Sequence, residues 1–376
     1  MKVEFFRHQL GEENLSRLAR VMRSIFLTTG EEVAEFERRL AAYLDQREAV
    51  GLTSATAALH LSLLALGIGP GDEVITTPLT FVATALSILH AGARPVFVDV
   101  EPQTGNIAVD KIAKAITAKT KAIMPVHLYG QMADMLKIHQ LAEAYGLAVI
   151  EDAAHCLEGE RDGVRVGSLA DTACFSFYAT KSITCGEGGA LTSNDPALAE
   201  RVKRLRLHGL STAAADRYTK RYSHYDVEIE GWKYNMSNLQ AALLIDQIDR
   251  IEEWRDKREK IALTYRSALA KVAGLELPTL LPGVKQAYHL FTIWVDPARR
   301  DKILWRLQEE GVGVAVNYQP CHLYTLFRKR FDYREGDFPH AELIGQRTIS
   351  LPLYPGLKEE EAEFVVEKVK RVVESA

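Results

Sequence analysis

Through the first 200 residues, short apolar runs alternate with longer stretches in which apolar residues return every three or four positions. Glu73–Thr76, Pro95–Val100, Lys121–His127, Leu147–Glu151 and Thr172–Tyr178 are rich in β-branched or aromatic residues and read as strands. The periodic stretches Ala55–Leu66, Thr80–His90, Asp110–Ala118 and Met135–Tyr145 predict helices between them. Gly67, Gly69, Pro70 and Gly71 stop the first helix, and Gly146 stops the last. Strands that are apolar on both faces and separated by helices predict a mainly parallel sheet covered on both sides, an α/β fold.

The pattern changes after Asn238. Leu239–Leu269 predicts one long amphipathic helix or two joined ones, followed by a strand (His289–Val295), a helix (Lys302–Glu310), a strand (Val312–Tyr318) and a last helix (Glu359–Val373). A chain of 376 residues exceeds one ordinary core, since domains hold about 100–200 residues. The expected division is a large domain over residues 1–250 and a small α+β domain over 251–376.

Composition narrows the class. Apolar residues make up 47% and charged residues 26%, the balance of a globular protein rather than a disordered one. Net charge is −4, which offers no global pull toward nucleic acid or an anionic membrane, so neither partner is expected. The longest nearly apolar stretch, Ala55–Gly69, is 15 residues long and is interrupted by Thr56, His60 and Ser62, too short for a membrane span. Met1–Gly11 lacks the charged-then-apolar layout of a signal peptide, and a cytoplasmic location is the expectation. Cys156, Cys174, Cys185 and Cys321 show no C-x-x-C spacing, so free buried thiols are expected, and no metal site.

Three segments carry candidate chemistry. Thr53-Ser54-Ala55-Thr56 precedes a helical run, where backbone N–H groups suit a phosphate, although Ser and Thr are also ordinary N-caps. Asp152, after the apolar run Leu147–Ile150, stands beyond the carboxyl end of a strand, where α/β sheets place ligands; it could equally cap the next helix. His155 would share that mouth if a helical turn starts there. Lys181 lies between an apolar strand and the glycine-rich turn Gly186-Glu187-Gly188-Gly189, which leads into a strand over Ala190–Thr192. Most lysines are solvated, but desolvation at such a point lowers the amine's pKa and frees it as a nucleophile. Together, a phosphate cradle, an acid and a lysine are the parts that hold pyridoxal phosphate by its phosphate, its ring nitrogen and its aldehyde. Phe81 could cover one face of the ring, or be a plain core aromatic.

At these residues the chain resembles the DegT/DnrJ/EryC1/StrS family of pyridoxal-phosphate sugar aminotransferases nearly end to end. The segments Thr53–Leu59, Pro125-Val126-His127, Glu151–His155, Phe175–Gly189 and Tyr234–Ala242 carry the resemblance. Gly67–Thr76, Ile183-Thr184-Cys185 and Leu207–Leu210 are most similar to the pattern of its UDP-4-amino-4-deoxy-L-arabinose aminotransferase group. The resemblance implies a type I, aspartate-aminotransferase-like fold. Lys181 would hold the cofactor aldehyde and move the proton, Asp152 would pair with the ring nitrogen, and His155 would stand beside the ring hydroxyl. Ala55, Thr56 and Ser176 would hold the phosphate, with Phe81 stacked on the ring. Asn235 would reach the phosphate of a neighbouring subunit, implying a homodimer with shared active sites; Tyr318 and His322 would contact the sugar.

Ala55 stands where many relatives have Gly, and Phe81 where some have Trp. The related sugar 3-dehydratases carry His in place of the lysine, so the presence of Lys181 favours transamination. The implied reaction moves an amino group from an amino-acid donor, glutamate in the family, to a keto group of a nucleotide-linked deoxysugar, C4 being favoured. A pyridoxal-phosphate lyase or sugar dehydratase on a similar fold, or a non-catalytic sugar-nucleotide binder, stays open as an alternative. A nicotinamide dehydrogenase does not fit, because no G-x-G-x-x-G follows an early strand.

Overall fold

The computed structural model describes residues 1–211 and 224–375. The loop over 211–230, a candidate for setting substrate choice, falls partly outside the described residues.

Strands β1 (Glu48–Leu52), β2 (Glu73–Thr76), β3 (Arg94–Phe97), β4 (Thr120–Ile123), β5 (Ala148–Asp152), β6 (Glu160–Arg161), β7 (Val164–Arg165), β8 (Thr172–Ser176) and β9 (Gly189–Ser193) belong to the first part of the chain. Seven of them form one sheet in the order β1-β9-β8-β5-β4-β2-β3. Neighbours from β3 through β8 pair in parallel, whereas β9 pairs antiparallel with both β8 and β1. The mainly parallel α/β fold expected from the sequence is the one observed. The reversal at β9 has a simple cause: a short connection can join antiparallel strands, but parallel ones need a crossover. That short connection, Phe177 to Gly188, carries Lys181 and leaves it at the carboxyl end of β8.

Helices α1 (Glu12–Arg23), α2 (Glu31–Leu44), α3 (Ala55–Ala65), α4 (Ala83–His90), α5 (Val109–Ala115), α6 (Met135–Tyr145), α7 (Pro196–Leu205), α8 (Asn238–Ile248) and α9 (Ile251–Leu269) surround the sheet. Successive strand residues feed opposite faces, as the two-residue period demands. Val149 and Phe175 join Phe36, Leu40, Ile138 and Leu244 on one side. Ile150 and Cys174 join Leu59, Leu63, Ile88 and Val202 on the other. Burial on both faces explains why these strands read as continuous apolar runs.

The long periodic stretch after Asn238 is two helices, not one. Ser237 caps α8 through its Oγ, which accepts the Gln240 N–H at 3.2 Å, while Gln240 Oε1 accepts the Ser237 N–H at 2.9 Å. Helix α8 stops at Ile248 and α9 starts at Ile251.

Beyond α9 lie β10 (Leu275–Glu276), β11 (Val284–Lys285), β12 (Phe291–Val295), α10 (Arg300–Glu309), α11 (Thr325–Phe331), α12 (Pro339–Arg347), β13 (Thr348–Leu351) and α13 (Glu359–Ser375). Antiparallel β10-β12-β13 pack against α9 and α13 through Tyr265, Leu269, Ile293, Ile349, Val365 and Val369, a cluster separate from those on the large sheet. The expected strand over Val312–Tyr318 is not formed; Val312 and Ala315 make only single bridges, to Val3 and Ser350. Instead this segment is clasped by the N-terminus: Val3 N–H donates to Gly311 O and Gly313 N–H to Val3 O, both at 2.8 Å. A Cβ on Gly313 would collide with the Phe5 nitrogen, so only glycine lets the two segments approach so closely.

Candidate active site

The carboxyl ends of β5 and β8 and the start of α3 converge on one cavity of about 530 Å³, of the size that small ligands occupy. Its wall includes Ser54, Ala55, Thr56, Phe81, Asp152, His155, Ser176, Lys181 and Tyr318. The structure thus brings together eight of the ten residues singled out from the sequence: Ala55, Thr56, Phe81, Asp152, His155, Ser176, Lys181 and Tyr318.

The start of α3 is built as an anion cradle. Ser54 caps the helix, its Oγ accepting the Ala57 N–H at 3.1 Å, and the first-turn N–H groups of Ala55 and Thr56 have no intrahelical acceptor. Gly189 lies in register with Ser176 of β8 and Leu52 of β1. A Cβ at Gly189 would collide with the Ser54 carbonyl carbon and the Ala55 nitrogen, so the glycine turn is what lets β9 reach the helix start. The cradle fits a phosphate group.

Asp152 is buried and held from two sides: Thr84 Oγ1 donates to its Oδ2 at 2.7 Å, and the Ala154 N–H to its Oδ1 at 3.2 Å. Burial raises its pKa, and the Thr84 and Ala154 hydrogen bonds and the charge of Lys181 oppose that rise. A protonated ring nitrogen beside it would oppose the rise further, so the carboxyl suits such a partner. Next to it the His155 imidazole is buried, with Nε2 3.0 Å from the Tyr318 hydroxyl and Nδ1 lacking any partner among the described residues. Burial, and then the nearby Lys181, push its pKa well below the ordinary value, so the ring is neutral. An unpartnered buried nitrogen is the kind of group a ring hydroxyl would satisfy.

Burial lowers the Lys181 amine to about 8, with the charge of Asp152 pulling the other way. Its Nζ lies 3.3 Å from Nε2 of His289, a residue the sequence reading placed only at the start of a strand. His289 is itself buried, and its ring centroid is 4.4 Å from that of His155. Among the described residues, Lys181 is the only Lys or Arg on the cavity wall. Phe81 is 57% exposed, which sets it at the cavity rim rather than in the core, and its ring centroid is 6.0 Å from that of Tyr318.

Two expected residues are elsewhere. His322 is fully buried in a cluster with Phe338 and Tyr333, its Nε2 bonded to Glu342 Oε1 at 2.9 Å, so it does not reach the cavity as a sugar contact. The 3-10 turn Cys321–Leu323 carries it away from the mouth. Asn235 is also outside this cavity; its Nδ2 donates to Thr28 and Thr29 Oγ1 at 3.1 and 2.9 Å. Phe5, Thr84, Tyr178, Thr180, Glu187, His289, Leu290 and Asn317 line the cavity without having been predicted. Thr180 and Glu187 lie inside the segment Phe175–Gly189 and were within reach of the sequence reading. Phe5, His289 and Asn317 arrive from remote segments that no local pattern marks. No helix among the described residues is long and apolar enough to cross a membrane.

The model of the DegT/DnrJ/EryC1/StrS aminotransferase family matches residues 8–370. The spore coat polysaccharide biosynthesis protein SpsC of Bacillus subtilis is 42% identical, over 98% of this chain and 96% of its own length. The UDP-4-amino-4-deoxy-L-arabinose–oxoglutarate aminotransferase of Shewanella sediminis is 39% identical over 98% and 97%. A Streptococcus pneumoniae protein assigned as a sugar aminotransferase, solved in its PLP form, superposes with a TM-score of 0.92 at 31% identity, covering 100% of this chain and 99% of its own.

Proposed function

The chain belongs to the DegT/DnrJ/EryC1/StrS aminotransferase family, whose cofactor is pyridoxal 5'-phosphate, and from there we propose that it transfers an amino group from glutamate to the C4 keto group of a nucleotide-linked deoxysugar. One observation carries the reading of the site: a lysine of lowered pKa, a buried carboxylate and an anion cradle share one cavity. When bound, pyridoxal phosphate supplies an electron sink for the carbon from which the amino group moves.

The roles we assign follow from each group's surroundings. The N–H groups of Ala55 and Thr56 and the hydroxyl of Ser176 bind phosphate. Asp152, held by the Thr84 hydroxyl and the Ala154 N–H, orients and stabilises a protonated ring nitrogen. Lys181 would carry a proton between the substrate carbon and the cofactor, for which an amine near 8 is well matched. Phe81 covers one ring face, and Tyr318 orients the sugar. C4 and a nucleotide-linked sugar are supported by the 39% identity with the arabinose-type enzyme, and a polysaccharide pathway by the identity with SpsC.

The acidic donor and a sugar diphosphate together bring several negative charges, yet the described wall offers one lysine. A homodimer would remedy this, with Asn235 and its surroundings reaching the partner's site. We keep the division of the chain near residue 250, at the junction of α8 and α9, as part of this proposal.

The visible absorption of the purified protein, before and after adding glutamate, tests the first half-reaction. A yellow protein that bleaches supports the reading. One that stays colourless after incubation with pyridoxal phosphate sinks it. Screening keto-sugar nucleotides in the presence of the aminated protein then tests the acceptor.

A further inference from the structure

The amine of Lys181 has a neighbour outside the cofactor-binding set. His289 reaches Lys181 Nζ from the segment between β11 and β12, more than 100 positions away along the chain, with Nε2 at 3.3 Å. The contact is held at both ends by one buried ion pair. Arg258 Nη2 of α9 donates to Glu158 Oε1 at 2.6 Å, and both are almost completely buried. Ser182, the residue after Lys181, donates its hydroxyl to the other Glu158 oxygen at 3.3 Å. The same guanidinium donates to Ala287 O, two residues before His289, through Nη2 at 3.1 Å and Nε at 3.3 Å. Ser182, Glu158, Arg258 and Ala287 therefore clamp the lysine segment to the histidine segment. Arg258 Nη1 is buried without a partner among the described residues, but the contacts through Nε, Nη2 and the two Glu158 oxygens tie the segments together.

We propose that His289 is a positioning residue for Lys181: its Nε2 accepts a hydrogen bond from the amine and aims it into the cavity. Two adjacent cations in so enclosed a place would repel strongly, so the imidazole stays neutral beside the lysine. Lys181 and His289 also line a much smaller pocket with Ser182, Arg258, Arg7 and His8. The other titratable or charged groups facing the pair are Asp152 and His155 at the end of β5, Tyr318, and Arg258 with its partner Glu158.

The inference rests on Lys181 being the reactive amine, and the test separates the two claims. The full-length protein, prepared without pyridoxal phosphate, is pulsed with acetic anhydride from pH 6 to 10, and acetylation of Lys181 is followed by peptide mass spectrometry. A hydrogen bond to the charged form of the amine is worth about one pH unit. His289→Phe should move the labelling midpoint of Lys181 down by about that much, while His289→Gln, which keeps an acceptor, stays near wild type. An unchanged midpoint in His289→Phe, or a full-unit shift in His289→Gln, overturns the role of His289 and leaves the aminotransferase reading standing. If His289→Phe does not fold, His289→Leu carries the same expected shift and the same overturning result. A wild-type midpoint near that of free lysine would instead undermine the assignment of Lys181.

Discussion

The two walls of the cavity are built differently. One wall is the mouth of the large sheet: Asp152 and Ser176 end their strands, Ser54 to Thr56 and Lys181 follow a few residues beyond strand ends, and backbone geometry positions them. The facing wall is Phe5, His289, Leu290, Asn317 and Tyr318, delivered by the N-terminal segment and by irregular chain around β12 and β13. Its side chains are held by one another and by remote groups, as where Ser350 Oγ donates to Asn317 Oδ1 at 2.8 Å and Tyr129 donates to Asn317 O. Groups placed by backbone geometry suit the chemistry we propose, and side chains held by remote contacts suit choosing among substrates.

That contrast can be broken by experiment. The largest effect expected is that of Lys181→Ala, which should lower the rate of amino transfer by about a thousandfold or more while cofactor still binds weakly through the cradle. Turnover within about tenfold of wild type in this variant, with no added amine, would sink the assignment.

Next is stability in the protein without cofactor. The folded chain holds Lys181 near 8, below its ordinary value of 10.5. Between those values the unfolded chain binds the extra proton, so stability rises with pH through that window, and below it the buried amine costs about 3 kcal/mol. Lys181→Met should therefore raise the melting temperature at pH 7 by several degrees, with the gain shrinking toward pH 10. A gain that is constant with pH would show that packing, not charge, is responsible.

Gly189→Ala should weaken pyridoxal phosphate binding and cost about 1–3 kcal/mol of stability, because the new Cβ meets Ser54 and Ala55 backbone that cannot yield. Spectrophotometric titration with the cofactor reads the first effect and thermal melting the second. The smallest effect belongs to the facing wall. Tyr318→Phe removes the hydroxyl bonded to His155, and about 1 kcal/mol should appear in KM for the sugar with kcat little changed. An equal loss in kcat would place Tyr318 with the first wall and collapse the distinction.

Much of the architecture was legible from local pattern. Strands buried on both faces leave continuous apolar runs, glycines end helices where positive φ is needed, and a cap with Gln240 three residues later marks α8. The edge strands were harder. β1 and β13 are four or five residues long and gain their identity from partners far away in the chain, so neither was anticipated. The apolar run Val312–Tyr318 has strand composition, yet Gly311 and Gly313 admit the N-terminal segment beside it and the run becomes part of the cavity wall.

The site divides along the same line. Asp152, Lys181 and the residues around Ser54 were readable because each follows a strand or opens a helix, and a strand end fixes where its next residue points. His322 and Tyr318 lie four residues apart in one loop, and nothing in their order says which turns inward. Tertiary packing decides it, burying His322 against Glu342 and leaving Tyr318 facing His155. His289 was invisible for the same reason: its partner Lys181 is 108 positions away, and the Glu158–Arg258 pair that joins them exists only once α9 packs on the large sheet. Sequence by itself determined the groups whose geometry a few neighbouring residues dictate. Contacts closed over long loops were decided by the fold, because they depend on the sum of packing across elements that no local window contains.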